Sequence, residues 1–202
     1  MNELEKLRRD CAAFFDALWT DERKTIVFGD GCADEPPLML IGEAPGEQEA
    51  LQGKPFVGMA GKNLNEFLTV LEMNREDIYI SNVVKVRPTK RSVAGNIVNR
   101  PPSREEIELF VPWLRREIAL VRPKALVTLG NVALRAFVPK TESIGDCHGA
   151  WRRVAVQPPK AEAFTLPLFA LYHPASVIYN RALTDVYRSD LQALHASLTA
   201  RR

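Results

Sequence analysis

Four short apolar runs, separated by helical patterns, most constrain what this chain can fold into. They are PLMLI (37–41), IYISNVV (78–84), ALVTL (125–129) and PLFALY (167–172). Each has the length and composition of a strand. Between them Leu64, Phe67, Leu68 and Leu71 recur at helical spacing, as do Ile107, Phe110, Val111, Leu114 and Ile118. The second of these helices opens at Ser103 and Glu106, spaced as a capping box just after Pro101 and Pro102. An amphipathic helix is expected at the N-terminus from Leu4, Leu7, Cys11, Phe14, Phe15 and Leu18, and another at the C-terminus from Leu191, Leu194 and Leu198. Strand–helix–strand alternation implies a parallel sheet with helices on both faces. The segments 87–102 and 157–164, punctuated by Pro and Gly or by Pro alone, read as irregular surface connections.

At 202 residues the chain is long enough for one well-buried domain and short for two. A net charge of +2 is too mild to attract nucleic acid by itself, so any such affinity must come from local clustering. No apolar run is long enough to cross a bilayer, and Met1-Asn2-Glu3-Leu4-Glu5 lacks the pattern of a signal peptide. A cytoplasmic protein without membrane partners is expected. The three cysteines, Cys11, Cys32 and Cys147, are far apart with no C-x-x-C, so neither a disulfide framework nor a zinc site is supported.

The unusual residues fall at the ends of the apolar runs. Gly42-Glu43-Ala44-Pro45-Gly46 follows the first, Ser81-Asn82 lies in the second, Gly130-Asn131 follows the third and His173-Pro174-Ala175 the fourth. An open parallel sheet places its ligand crevice at the carboxyl ends of its strands, so these distant segments should converge. Singly, each has a structural reading as well. The glycines could be plain turn residues, Phe56 could be core, and His173 could be a satisfied strand-end histidine. Asn82 is harder to place structurally, because a buried amide is costly unless paired. His148 reads as a loop residue, and Cys147 with His148 lacks the neighbours for a metal. Between residues 85 and 104 there are six cations (Lys85, Arg87, Lys90, Arg91, Arg100 and Arg104) and no acid. That pattern suits a solvated loop, or phosphate contact if the loop overhangs the crevice.

Together these residues resemble the uracil-DNA glycosylase superfamily, and most closely its family 4 branch. The resemblance runs through Gly42–Gly46 with Lys54-Pro55-Phe56-Val57-Gly58, through Ile80–Lys85, through Arg122–Gly130 and through His173-Pro174-Ala175, in order, over residues 26–190. It implies a three-layer α/β/α fold with a central four-stranded parallel sheet, and one domain over residues 1–202. The implied activity is removal of uracil from DNA after base flipping, leaving an abasic site. Phe56 would stack on the flipped base and Asn82 would pair with its O4 and N3–H. Glu49 would crowd the position of a thymine methyl, and His173 would donate to O2 as charge develops there. The backbone amides of the Gly42-Glu43-Ala44-Pro45-Gly46 turn would help position substrate or water, with Glu43 as the candidate to orient that water. Lys85, Arg87, Lys90, Arg91 and Arg100 would contact DNA, and Val177 and Ile178 would wedge into the stack.

The family 4 resemblance also implies a [4Fe–4S] cluster held by four cysteines. Two belong near residues 14–18, one at Val86 and one at Phe110, and none is cysteine here. No cofactor and no metal are therefore expected, and Phe14, Phe15, Leu18, Val86 and Phe110 are expected to pack together as a hydrophobic plug. No histidine occurs between Lys85 and Arg104, so covalent trapping of DNA, which a related branch performs with a histidine there, is not expected. The expected protein is a monomeric glycosylase acting on uracil-containing DNA. The alternative is a uracil- or DNA-binding protein of the same fold that has lost turnover.

Overall fold

The computed structural model describes residues 2–20, 24–180 and 182–200, excluding the side chains of Ile178 and Tyr179. The chain opens with α1 (Glu3–Leu18), β1 (Asp30–Gly31) and β2 (Met39–Gly42). Helices α2 (Glu47–Gln52) and α3 (Met59–Val70) follow, and a 3-10 turn at Arg75–Asp77 leads into β3 (Tyr79–Asn82). A hairpin of β4 (Thr89–Arg91) and β5 (Ile97–Asn99) precedes α4 (Arg104–Val121), β6 (Leu126–Leu129) and α5 (Gly130–Leu134). The remaining elements are α6 (Ile144–Cys147), β7 (Trp151–Val156), β8 (Phe164–Leu171), α7 (Pro174–Tyr179) and α8 (Leu183–Thr199).

The main sheet has six strands in the order β1-β3-β2-β6-β8-β7. Its central strands β3, β2, β6 and β8 are parallel, as expected, and correspond to the four apolar runs. Two antiparallel edge strands, β1 and β7, extend the sheet beyond that expectation. β1 is too short to leave a pattern. β7 carries Arg152 and Arg153 on a half-exposed ribbon, and charges are what keep an edge strand from pairing with another chain.

Alternation along β2 explains the layers. Met39 and Ile41 face a cluster shared with Leu4, Leu7, Phe110 and Leu114 of α1 and α4. Leu38 and Leu40 face the other way, toward Leu64, Phe67, Leu191 and Leu194 of α3 and α8. The expected capping box of α4 is present, with Ser103 Oγ accepting from the Glu106 amide at 3.2 Å and Glu106 accepting from the Ser103 amide at 2.7 Å.

Helix α1 is held by aromatic packing. The ring of Phe15 stacks on Phe110 at 4.2 Å between centroids and lies 4.7 Å from Trp19, and Val86 is buried in the same cluster. Phe14 and Leu18 were expected inside this plug, but they are 45% and 47% exposed. They fall on the outer side of the helical turn, where Phe14 meets Phe15 edge-on at 5.0 Å and Trp113 at 5.6 Å between ring centroids. Burial beside this cluster pushes the Cys11 thiol up to about 12, so it is an inert packing group.

The segment expected to be irregular is partly ordered as the β4–β5 hairpin. Its strands are three residues each, closed by Ser92 and Asn96, whose backbone groups bond at 2.8 Å. Pro88 and Gly95 at its base and tip gave it the look of a loop.

Lys85 is a further correction. It was expected to face DNA, but it is fully buried. Its ammonium donates to Ser81 Oγ at 2.6 Å, to the Asn82 carbonyl at 2.8 Å and to the carboxylate of Glu117 on α4. Glu117 also accepts from the Tyr79 hydroxyl at 2.9 Å, Ser81 Oγ at 2.9 Å and the Gly29 amide at 3.0 Å. A cation with every proton donated inside the protein has none left for a phosphate.

Removing one member of such a pair strands the other charge, at a cost of about 3–5 kcal/mol. Glu117→Ala should therefore lower unfolding stability by that order in urea titrations. The double change Lys85→Met with Glu117→Leu should recover most of the loss. A double variant as unstable as the sum of the singles would show that the charges are not coupled.

Candidate functional site

The carboxyl ends of β2, β3 and β8 bring Gly42–Gly46, Asn82 and His173 to one cavity of about 440 Å³. Ala44, Gly46, Glu49, Phe56, Asn82 and His173 line it; Glu49 and Phe56 were expected there from the family resemblance rather than from spacing. Glu47, Gln48, Gly58, Met59, Ala60 and Asn99 line it as well and were not anticipated. They enter because α2, the start of α3 and the β5 strand close over the same crevice, and no pattern in the sequence places those elements beside β3. Gly42 lies beneath the cavity, and Glu43 and Pro45 are not among its lining residues. Asn131, after β6, serves the scaffold: its Oδ1 accepts from the Ile144 amide at 2.8 Å.

Gly42 is required by close approach. A Cβ there would lie 2.4 Å from Asn82 Oδ1 and 2.6 Å from Phe56 Cζ. The glycine thus makes room for the protein's own amide and ring, which pack over it. Its carbonyl and that of Glu43 accept from the Val83 and Val84 amides at 2.9 and 3.0 Å, extending the β2–β3 ladder past Asn82.

Asn82 is 2% exposed. Among the described residues its side-chain amide has no hydrogen-bonding partner, so donor and acceptor alike are left to a ligand in the cavity. Phe56 is 6% exposed and its ring lies 6.3 Å from that of His173, inclined by 29°. Its backbone φ of +53° is in the left-handed region, which costs a bulky residue on the order of 1–3 kcal/mol unless its surroundings enforce it. Glu49 supplies part of that enforcement. Its carboxylate accepts from the amides of Gly46, Val57 and Gly58 at 3.1, 3.0 and 2.7 Å, tying the β2 turn to the turn that carries Phe56. The Gly46 amide, expected to be available to substrate, is thereby committed to Glu49.

His173 caps α7. Its Nδ1 accepts from the Ala175 amide at 3.2 Å, which leaves the proton of the neutral ring on Nε2. Burial lowers its pKa, so the ring stays neutral around pH 7. Burial acts the opposite way on Glu43, raising its carboxyl above the ordinary range and making it a better proton acceptor near neutrality.

The cations divide into two groups. Lys90 and Arg91 are exposed on β4. Arg87 stands at the mouth of the cavity, donating to Asn99 Oδ1 at 2.7 Å and to Glu47 at 3.1 Å. Arg100, expected to face DNA, is instead spent on structure: it forms a bidentate pair with Glu106 at 2.6 and 2.8 Å and donates to the Thr89 carbonyl at 3.0 Å. It fixes the hairpin base to the start of α4. Val177 is partly exposed on α7, and lines a neighbouring depression with Phe67 and Tyr187. The side chain of Ile178 lies outside the described residues.

The iron–sulfur centre implied by the resemblance does not fit the residues present. Its ligand positions hold packed Phe15, Val86 and Phe110, which offer no thiolate. Among the described residues no three His, Cys, Asp or Glu side chains cluster as a metal site. No described helix is long and apolar enough to cross a membrane.

Comparison with known proteins gives a consistent picture. Residues 28–194 match the family model described as the uracil DNA glycosylase superfamily. The chain is 35% identical over 184 residues to a type-4 uracil-DNA glycosylase of Saccharolobus solfataricus, covering 89% of this chain and 79% of the relative. It is 32% identical over 202 residues to the type-4 uracil-DNA glycosylase of Sulfurisphaera tokodaii, covering 96% and 84%. The crystal structure of wild-type SMUG2 from Pedobacter heparinus superposes with a TM-score of 0.50 at 12% identity, over 82% of this chain and 76% of that one. At that identity the likeness concerns the fold.

Substituting Gly42→Ala should displace Asn82 and Phe56 together, since one added carbon meets both. The expected result is a folded protein destabilised by about 1–3 kcal/mol, with the Asn82 side-chain amide resonances shifted in 1H–15N spectra. Unshifted amide resonances would mean that the crowding over Gly42 is relieved elsewhere.

Proposed function

The chain belongs to the uracil DNA glycosylase superfamily, and on that premise we propose that it hydrolyses the N-glycosidic bond of uracil in DNA and leaves an abasic site. The observation that carries this reading is the Asn82 amide: buried at the end of a cavity, unpartnered among the described residues, and flanked by a ring and a neutral imidazole. A fixed amide that accepts from N3–H and donates to O4 suits uracil. Cytosine presents the reverse polarity at both positions and would leave buried groups unpaired. Phe56 offers the stacking face. Glu49, held rigid by three amides, forms the wall where a thymine methyl would have to fit.

In the reaction, the C1′–N1 bond breaks with its electron pair moving onto the base, chiefly toward O2. His173 donates a hydrogen bond from Nε2–H to O2 as this charge develops, and a donor placed for the transition state is worth about 3–4 kcal/mol. Water adds its oxygen to C1′ and gives up a proton to the Glu43 carboxylate. The departing uracil anion then takes up a proton from solvent, and the Glu43 carboxyl gives its proton back to solvent, which restores the carboxylate. Lys90 and Arg91, exposed on the hairpin, with Val177 on α7, are the groups assigned to meet the DNA backbone and stack, while Arg87 beside them is engaged with Asn99 and Glu47. The relatives named above act, by their names, on uracil in DNA, which supports the same substrate here.

The test is an oligonucleotide carrying one labelled uracil, treated with protein and then with alkali. Wild type should generate alkali-labile sites, and Asn82→Ala and His173→Ala should each lose roughly 100-fold or more in rate. Retardation of the oligonucleotide without such sites would replace the enzyme by a binding protein. The pH profile follows from the two shifts. His173 works as the neutral ring and its pKa is lowered from 6.5; Glu43 works as the carboxylate and its pKa is raised from 4.5. Both working forms are lost as pH falls, so activity should hold through neutral pH and decline on the acid side. A rate that rose on acidification would contradict the neutral-imidazole role.

A further inference from the structure

Resting on the uracil reading of the cavity, we propose that Arg75 is a positioning residue: it does not line the cavity, but it sets the orientation of the Phe56 ring. Arg75 begins the 3-10 turn before β3. Its guanidinium donates to the Phe56 carbonyl at 3.1 Å and to the Pro55 carbonyl as well. The amides on the far side of the same turn, Val57 and Gly58, are held by Glu49 at 3.0 and 2.7 Å. The peptide unit between Phe56 and Val57 is therefore gripped from both ends, its oxygen by a cation and its N–H by an anion.

That grip accounts for a bulky residue resting at a φ of +53°. Gly61 on α3 completes it, because a Cβ there would lie 2.0 Å from the Phe56 oxygen. Arg75 is well matched to the task. A planar fork can hold two adjacent carbonyls at once, which an ammonium cannot do with the same rigidity. Burial alone lowers its pKa, while Asp30 of β1 and Glu49 of α2 favour its charged form. The same short segment leads directly into β3 and Asn82. The turn that carries the stacking ring and the strand that carries the base-reading amide are thus both tied to one stretch of chain.

A residue acting only through Phe56 has a recognisable signature in a double-mutant cycle. Arg75→Gln should lower kcat/KM for uracil release by about 10- to 100-fold, the scale of a misplaced contact. Introduced into Phe56→Ala, the same change should have almost no further effect. An equal loss in both backgrounds would overturn the proposal, since general destabilisation multiplies through. So would full activity of a folded Arg75→Gln protein. If Arg75→Gln does not fold, Arg75→Lys carries the same cycle, with a smaller loss expected because one carbonyl can still be held. A readout independent of turnover separates this inference from the uracil reading. In protein labelled with 13C in its Phe rings, the Phe56 resonances should move in Arg75→Gln. Unmoved resonances would sink the positioning role whatever the activity does. Wild-type protein that released no uracil would instead sink the assigned reaction, leaving the ring resonances to decide on Arg75.

Discussion

The buried pair of Lys85 and Glu117 is the constraint on which the working end of the sheet depends. Two full charges removed from water are tolerable only when every remaining proton and lone pair is used. Here Tyr79, Ser81, the Asn82 carbonyl and the Gly29 amide use them. The result ties β3 to α4 at the point where the strand ends, and therefore sets where the Asn82 side chain emerges. A purely apolar contact at this point could slide by a fraction of an ångström. A saturated polar network has one arrangement that satisfies all its members.

The same economy governs the cavity. Charge near it is spent on backbone geometry: Glu49 on three amides, Arg75 on two carbonyls, Arg100 and Glu106 on the hairpin base. What faces the cavity interior at Asn82, Phe56 and His173 is uncharged. That division suits a neutral base, which needs oriented dipoles and a ring rather than a counter-ion. It also suits a reaction whose charge appears only in the transition state, where fixed dipoles need no rearrangement at the moment of need.

Helix α1 follows a different logic. It docks through Leu4, Leu7, Cys11 and Phe15, with Phe15 stacked on Phe110. Dispersion and apolar burial hold it, with Arg8 donating to the Gly29 carbonyl beside them. Trp19 and Trp113 widen the aromatic contact.

The sequence by itself determined the four parallel strands, the helices that cover them and the convergence of Gly42–Gly46, Asn82 and His173. These follow from apolar period and from the chirality of strand–helix–strand connections, which are local properties of the chain. Asn82 and His173 were legible for the same reason, since each stands at a strand end, whereas Phe56 and Glu49, the latter inside α2, were legible only through the family resemblance. The roles of the cations were not legible. Lys85, Arg87, Lys90, Arg91 and Arg100 form one basic run in the sequence, yet Lys85 is buried against Glu117 and Arg100 is paired with Glu106. The β4–β5 hairpin, the edge strands and the grip of Arg75 on the Phe56 turn were hidden likewise. A charge is available to a ligand only if no nearer partner claims it, and which partner is nearer depends on contacts between segments 6 to 32 residues apart. Only the tertiary structure brings those segments together.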